Sequence, residues 1–333
     1  METGRICAQL RERYRILDAT SHLEARVSGR FSHEAASPAA YPAVGDWVEF
    51  ERTPNGPAII HAVCARRSAI VRKAAGTGVR EQIVAANVDY LFIVSGLDDD
   101  FNVRRIERYA ALAMSSGVKP VLALNKLDLC DDLEVKLELL EAAQLDAPLH
   151  LLCARSGEGI DELFSYFQPD KTVALAGSSG AGKSTIVNRL LESEIQGTAA
   201  TRERDGRGRH TTTQRSLFLL ESGGAIIDTP GMRELHLWAD ARVDDAFADV
   251  AAFAAQCRFG DCRHAGEPGC RIQTALDDGS LDIAHFENYE RLLREQAHLE
   301  RQVGSWEERE ERERWKRLNR DGRAQGRFKR GMR

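Results

Sequence analysis

Along residues 1 to about 73 the apolar positions come in short bursts, "ARVSG", "DWVEFE" and "AIIHAV", separated by Gly, Pro and Ser-Pro breaks. Brief alternating runs between turn residues predict short β-strands, and nothing there has the spacing of a long amphipathic helix. Five such strands suit an OB-type barrel. From "ANVDYLFIVSG" at 86–96 the pattern changes. Continuous apolar runs ("YLFIVS", "PVLALN", "LHLLCA", "TVALAG") now alternate with helix-patterned stretches ("IERYAALAMSSG", "LEVKLELLEAAQ", "GIDELFSYF", "STIVNRLLES"). Strands apolar on both faces, linked by helices, predict a doubly wound parallel sheet. After about residue 240 the strands stop. A Cys/His cluster follows, then a helical segment with Ile283, Phe286, Tyr289 and Leu293 along one face. The last thirty residues are charged and nearly without apolar periodicity.

Composition excludes several classes. A chain of 333 residues suits two or three domains, and 43% hydrophobic with 29% charged residues is a globular balance. The net charge of −5 means that nucleic-acid contact must come from local patches. The start, "METGRICAQLRERYR", is broken by charge every few residues, which argues against a secretory leader. No apolar run approaches the roughly 20 residues of a membrane helix. Seven cysteines, three of them within 257–270, read as a reducing compartment with a metal site. A cytoplasmic monomer without membrane contact is expected.

The run "TVALAG" leads into "GSSGAGKS", which fits G-x-x-x-x-G-K-[ST] over Gly177, Ser178, Ser179, Gly180, Ala181, Gly182, Lys183 and Ser184, with Thr185 following. Small residues let successive N–H groups turn inward around phosphate oxygens, and the helix N-terminus adds positive potential. Lys183 would reach the β- and γ-phosphates, and the Ser184 hydroxyl would ligate Mg²⁺. A mere Gly/Ser turn explains neither the buried strand before it nor the periodic helix after it. Downstream, the strand in "GGAIIDTPGM" ends in Asp-x-x-Gly. Asp228 would hold the magnesium, and Gly231 would offer its N–H to the γ-phosphate. Between them "GRGRHTTT" (206–213) suits a mobile segment that senses Mg²⁺ and γ-phosphate. The choice among Thr211, Thr212 and Thr213 stays open; Thr212, the middle one, stands for them in the expected GTP site.

The run "LALNKLDL" (122–129) carries Asn125, Lys126, Leu127 and Asp128. A carboxylate can accept from both N1–H and the exocyclic amine of guanine, whereas adenine has no such donor pair, so Asp128 can select guanine. Lys126 would lie along the base plane and Asn125 would tie the loop to its neighbours. The strand ending "HLLCARSGEG" places Cys153, Ala154 and Arg155 where GTPases commonly have Ser-Ala-Lys, whose backbone N–H meets the guanine O6. The phosphate loop normally precedes Asn-Lys-x-Asp; here it follows. Read as a ring, the five segments keep their usual cyclic order, which points to a circular permutation.

Permutation, "GRHTTT", a preceding β-rich region and a following Cys/His cluster together resemble the ribosome small-subunit-dependent GTPase A (RsgA) family, over about residues 4–300. The resemblance implies an OB-fold, a permuted GTPase domain and a zinc-binding helical domain. It also implies a late assembly factor whose GTP hydrolysis the small ribosomal subunit stimulates. Cys153, where a Ser is usual, departs from the pattern.

"CRFGDCRHAGEPGC" supplies Cys257, Cys262, His264 and Cys270, a closed Cys₃His set suited to one structural Zn²⁺. Cys7, Cys64, Cys130 and Cys153 are dispersed and read as packing residues. Many GTPases place Gln after Asp-x-x-Gly to orient the attacking water. Met232 stands there instead, and His210 beside the threonines is the nearest chemical substitute, as the resemblance also suggests. From Arg314 to the end, nine Lys or Arg residues face a single acid, Asp321, with Trp315 and Phe328 interleaved to stack on bases.

The expected division is a barrel contacting RNA at 1–73, the permuted GTPase domain at 74–240, the zinc-binding helical domain at 241–303 and the basic tail at 304–333. The expected function is GTP hydrolysis to GDP and phosphate on the small ribosomal subunit and its rRNA. The rival is an RNA-binding scaffold with a structural or regulatory GTP site. A small-molecule P-loop kinase lacks support, because Asn-Lys-x-Asp marks a guanine reader.

Overall fold

Alternation closes the N-terminal barrel. The strands are β1 (Glu2–Leu10), β2 (Arg13–Leu17), β3 (His22–Val27), β4 (Trp47–Glu51) and β5 (Ala58–Val63). Of these, β2 and β4 bury alternate residues, β1 is buried on both faces from Gly4 to Ala8, and Ile6, Tyr14, Ile16, Ala25, Val48, Phe50 and Ile60 form the core. The ring runs β1–β2–β3–β5–β4 and back to β1, with β3 and β5 parallel and the other neighbours antiparallel. This is the five-stranded OB arrangement. A short helix, α1 (Gly29–Glu34), follows β3, and Ser28 Oγ caps it by accepting from Phe31 N at 3.1 Å.

The computed structural model describes residues 1–10, 13–18, 21–73, 81–197, 215–228 and 242–304. His210, Thr211–Thr213, Gly231, Met232 and the basic tail lie outside the described residues.

Strands β6 (Ala69–Lys73) and β7 (Glu81–Ala86) pair as an antiparallel hairpin, so backbone pairing crosses the expected division at residue 73. Next come β8 (Tyr90–Gly96), α2 (Val103–Ser115), β9 (Lys119–Asn125), α3 (Leu133–Glu141), β10 (Leu149–Leu151), β11 (Thr172–Ala176), α4 (Lys183–Gly197), β12 (Ser216–Leu219) and β13 (Ala225–Asp228). They form the order β10-β9-β8-β11-β13-β12, parallel except for β12. One sheet face, with Leu91, Ile93, Leu122 and Ala174, packs on α2 and the C-terminal helices. The other, with Phe92, Val94, Val173 and Leu175, packs on α4 and the 3-10 segment Ile160–Tyr166. Strands buried on both sides account for the unbroken apolar runs. Beyond the sheet the barrel continues it, since β1 meets β12 with Ala8 opposite Ser216.

The C-terminal region is helical: α5 (Ala248–Ala254), α6 (Arg271–Asp277) and α7 (283–304). The α7 face differs from the one read from the sequence. Phe286 and Tyr289 do pack inward, but Ile283 is 60% and Leu293 36% exposed, and the centre of the face is polar. Fully buried His285 meets Glu107 Oε1 of α2 at 2.7 Å and Asp249 Oδ1 of α5 at 3.3 Å, while Asn288 donates to Glu107. Arg104–Asp282 and Arg108–Glu295, at 2.9 and 2.8 Å, flank this core. Apolar periodicity could not show a face whose centre is satisfied by another helix's carboxylate.

Burial acts to lower the His285 pKa, but hydrogen bonds with Asp249 and Glu107 raise it from 6.5 to about 9. Stabilisation from the imidazolium is therefore complete below about pH 6.5 and lost as pH rises through about 9. It amounts to about 3 kcal/mol at most. Asp249 has the opposite sense: burial raises its pKa, the His285 hydrogen bond outweighs this, and its contribution disappears as pH falls through the lowered value. The unfolding midpoint should drop by several degrees between pH 6.5 and 9, and Glu107→Gln should flatten that decline. An alkaline limb equally steep in the variant would place the titration elsewhere.

Candidate nucleotide site

Strands β8 and β11 are neighbours, and from them the chain runs outward to β9 and β10 on one side and to β13 and β12 on the other. A parallel sheet leaves a crevice beyond its carboxyl ends at such a reversal. The loops after β8, β9, β10 and β11 open there, and β13 ends there at Asp228.

The loop after β11 is Gly177–Gly182, and α4 begins at Lys183. Two glycines are required by contact. A Cβ on Gly177 (φ +146°) would lie 2.1 Å from Val94 O, and one on Gly182 (φ +101°) would lie 2.0 Å from Asn125 Nδ2. Ala181 is buried, Ser178 half-buried, and Ser179 and Gly180 are exposed. Ser184 and Thr185 are exposed at the start of α4, where their hydroxyls are accessible. Lys183 Nζ donates to Gly177 O and Ser178 O at 2.7 and 2.5 Å, so the ammonium lies over the loop's own carbonyls. A phosphate entering the loop would compete for it. Asp228 ends β13, 9% exposed, beside this loop, because β13 runs parallel to β11 with Ile227 opposite Ala174.

On the other flank, buried Asn125 joins two loops at once. Its Nδ2 donates to Ala181 O at 2.8 Å, and its Oδ1 accepts from Ala154 N at 2.9 Å. The Ala154 amide is thus already engaged, and a base carbonyl would share it. Lys126 adopts φ 66°, unusual for a residue with a side chain. Its ammonium pairs with Asp98 Oδ2 at 2.5 Å. The Lys126 hydrogen bond in turn keeps the Asp98 carboxyl below the ordinary carboxylate value. Leu127 N donates to Leu152 O at 3.0 Å, stitching the Asn125–Asp128 turn to the strand beside it. Asp128 Oδ1 accepts from Cys153 Sγ at 3.1 Å.

The structure therefore brings the phosphate loop, Asp228, the Asn125–Asp128 turn and the Cys153–Ala154 loop to one edge. It also adds residues that the sequence reading missed. Cys153 is more than a packing residue, since its thiol orients the Asp128 carboxylate. Asp98 and Asp100 belong to the loop after β8; Ser178 Oγ donates to Asp100, which also pairs with Arg105 at 2.9 Å. Arg189 of α4 donates to Ala154 O and Arg155 O at 3.1 and 2.6 Å, fixing the base-side loop from below. The available signal for Asp98 and Asp100 was position alone: a loop at the carboxyl end of a parallel strand borders the crevice. Arg189 offered none.

The second cluster lies between α5 and α6. One donor atom each from Cys257, Cys262, His264 and Cys270 falls within 4.8 Å of the others. His264 Nδ1 is 3.6 Å from Cys257 Sγ and 3.4 Å from Cys270 Sγ, close to the edge of about 3.6 Å that tetrahedral zinc bond lengths imply. Arg271 N and Gln273 N each donate to a cysteine sulfur at 3.4 Å. Burial raises the Cys257 pKa, but the Arg271 and Ile272 amides outweigh it and favour the thiolate that a metal needs. The donor set fits a closed structural zinc site.

A P-loop at the reversal point of this sheet, clasped to an Asn-Lys-x-Asp turn, defines a GTPase whose sequence order is circularly permuted. The RsgA GTPase family model matches residues 63–238, and the chain belongs to that family. It is 47% identical over 324 residues to the small ribosomal subunit biogenesis GTPase RsgA of Opitutus terrae, covering 94% of this chain and 88% of that protein. To RsgA 2 of Lactiplantibacillus plantarum it is 43% identical, covering 89% and 83%. The fold is similar to that of YjeQ from Thermotoga maritima, with TM-score 0.65, 24% identity and coverage of 89% and 98%. It is equally similar to YloQ, described as a circularly permuted GTPase, with TM-score 0.64, 22% identity and coverage of 90% and 96%.

A thiol is a weaker hydrogen-bond donor than a hydroxyl. Cys153→Ser should hold Asp128 more firmly and tighten GTP binding a few-fold, roughly 0.5–1.5 kcal/mol for one improved hydrogen bond. Titration with a fluorescent GTP analogue would show it; unchanged affinity in the variant would separate Cys153 from guanine recognition.

Proposed function

We propose that this chain hydrolyses GTP to GDP and phosphate as a cytoplasmic assembly factor of the small ribosomal subunit, using nucleotide state to time its release. The observation that carries the reading is the Asn125 clasp, which sets a guanine-selective carboxylate at a fixed distance from a phosphate loop. Among the described residues no helix is long and apolar enough to cross a membrane. Divisions near residues 73, 240 and 303 serve as working domain boundaries.

Each residue then has a task. Asp128 accepts from guanine N1–H and the amine, Lys126 lies along the base, and Asn125 and Ala154 hold the base loop. Amides of 177–182 surround the phosphates, and Lys183 leaves its loop carbonyls for the β- and γ-phosphates. Ser184 and Asp228 would hold Mg²⁺, which when bound neutralises charge between those phosphates. Gly231 and Thr212 are assigned to the γ-phosphate end, and His210 to the attacking water, on sequence position. Cys257, Cys262, His264 and Cys270 would hold one Zn²⁺, whose contribution is to staple the helical domain. The basic tail and the barrel are assigned to rRNA.

Two experiments bear on this. Alone, turnover should be slow, on the order of 10⁻⁴–10⁻² per second, and small subunits should raise it by several decades, because Met232 leaves no pre-placed Gln. Stimulation should fall with added salt, and truncation after Arg314 should weaken subunit binding and flatten that dependence while unstimulated turnover persists. His210→Ala should spare binding and lower stimulated turnover. An unstimulated rate equal to the stimulated one would leave an autonomous GTPase, and GTP binding without turnover would favour the scaffold. Separately, metal analysis of reduced, chelator-free protein should find one zinc per chain, lost in Cys262→Ser along with the helical domain's cooperative unfolding. A zinc-free parent protein would remove the metal assignment.

A further inference from the structure

Arg189 sits in the second turn of α4, half-buried, and among the described residues no carboxylate lies at ion-pair distance from it. Its partners are two consecutive backbone carbonyls, Ala154 O at 3.1 Å from Nε and Arg155 O at 2.6 Å from Nη2. An arginine with only a solubilising role keeps its head in water. This one instead spans a loop that lies 35 and 34 residues earlier in the chain.

That grip decides which way the loop's amides face. The peptides are trans, so each C=O points opposite to the N–H that follows it. With Ala154 O and Arg155 O turned toward Arg189, the N–H groups of Arg155 and Ser156 turn away from α4. Gly157 N donates to Cys153 O at 2.8 Å and closes the turn, which keeps successive amides pointing together. The first of them, Ala154 N, is aimed at Asn125 Oδ1 at 2.9 Å, and the Cys153 thiol at Asp128 Oδ1 at 3.1 Å. The side away from Arg189 is therefore the side of the Asn125–Asp128 turn. Arg155 N and Ser156 N have no hydrogen-bond partner there among the described residues.

A guanine whose N1–H and amine meet Asp128 carries O6 on the adjoining edge, toward the 153–156 loop. Asn125 already engages the Ala154 amide, so O6 can only share that hydrogen. The next amide, Arg155 N–H, is unengaged. We propose that Arg189 is a positioning residue for guanine selection: by holding the carbonyls of Ala154 and Arg155 it aims the Arg155 N–H at O6. Adenine would bring an amino group to the same place, donor against donor, which adds a repulsive criterion to the attractive one at Asp128. The loop that meets O6 is thereby fastened to the helix that Lys183 and Ser184 begin. The inference rests on the guanine reading of the Asn125–Asp128 turn.

The test uses the full chain and displacement of a ribose-labelled fluorescent GDP by unlabelled diphosphates. Two analogues separate the two halves of base recognition. IDP keeps O6 and N1–H but lacks the amine, so it reads Asp128. The analogue 6-thio-GDP keeps N1–H and the amine but offers sulfur, a weak acceptor, in place of O6. The parent chain should prefer GDP to both. Arg189→Leu should weaken GDP binding about tenfold and 6-thio-GDP binding only slightly. The preference for oxygen over sulfur should then fall toward one while the preference for GDP over IDP holds. Arg189→Lys, whose ammonium can reach one carbonyl, should fall between, and it carries the test if the leucine variant folds poorly. An oxygen preference that survives in both variants would overturn the role. So would two preferences that decline together, since a loop that merely loosens loses both. A parent chain that binds ADP as well as GDP would remove the guanine reading itself, whereas a GDP-selective parent with unaltered variants would remove Arg189 alone.

Discussion

One side-chain amide organises the nucleotide edge of this molecule. Asn125 must give a hydrogen to Ala181 O and take one from Ala154 N at the same moment. Aspartate could not donate, and a longer amide would not fit where Gly182 already has no room for a Cβ. Breaking either bond would leave a buried polar group unsatisfied, at a penalty of roughly 1–3 kcal/mol. The Gly177–Gly182 loop and the Cys153–Ala154 loop are therefore set by one rigid group, and neither can shift without the other.

The same edge is tied to the C-terminal helices through α2. Asp100, just ahead of that helix, touches the phosphate loop through Ser178, and Asp98 touches the base loop through Lys126. On its far side α2 presents Glu107 to His285 and Asn288. The Cys257–Cys270 cluster thus belongs to a module that meets α2 through a buried ionic centre set within an apolar core that includes Phe247, Ile272 and Phe286. Such a contact is specific in geometry and sensitive to protonation.

What the sequence disclosed follows from the range of the signals. The phosphate loop, the Asn125–Asp128 turn and the Cys257–Cys270 cluster are local: their chemistry requires fixed spacing along the chain. Alternation and unbroken apolar runs likewise separated barrel from sheet. The cyclic order of segments was legible because a parallel sheet places every loop at one edge regardless of where the chain starts. Asp98, Asp100 and Arg189 were not legible, because their partners lie tens of residues away and single acids or arginines carry no period. The α7 face was misread for a related reason. Its centre is His285 and Asn288, which look solvent-facing until Glu107 is known to oppose them.

The meeting of Ala8 and Ser216 has a consequence for how this chain is assembled. The two positions are more than two hundred residues apart, and closing so long a loop early in folding is entropically unfavourable. The barrel's own five-strand ring, by contrast, closes within the first 63 residues and can form while later segments are still being synthesised. Strand β12 then arrives at an edge already built, with β1 presenting ordered backbone groups to it. An open parallel sheet left with bare outer strands recruits other chains. Here one boundary is the three-residue β10 and the other is joined to the barrel, so the first domain made also shields the last strand pair from aggregation.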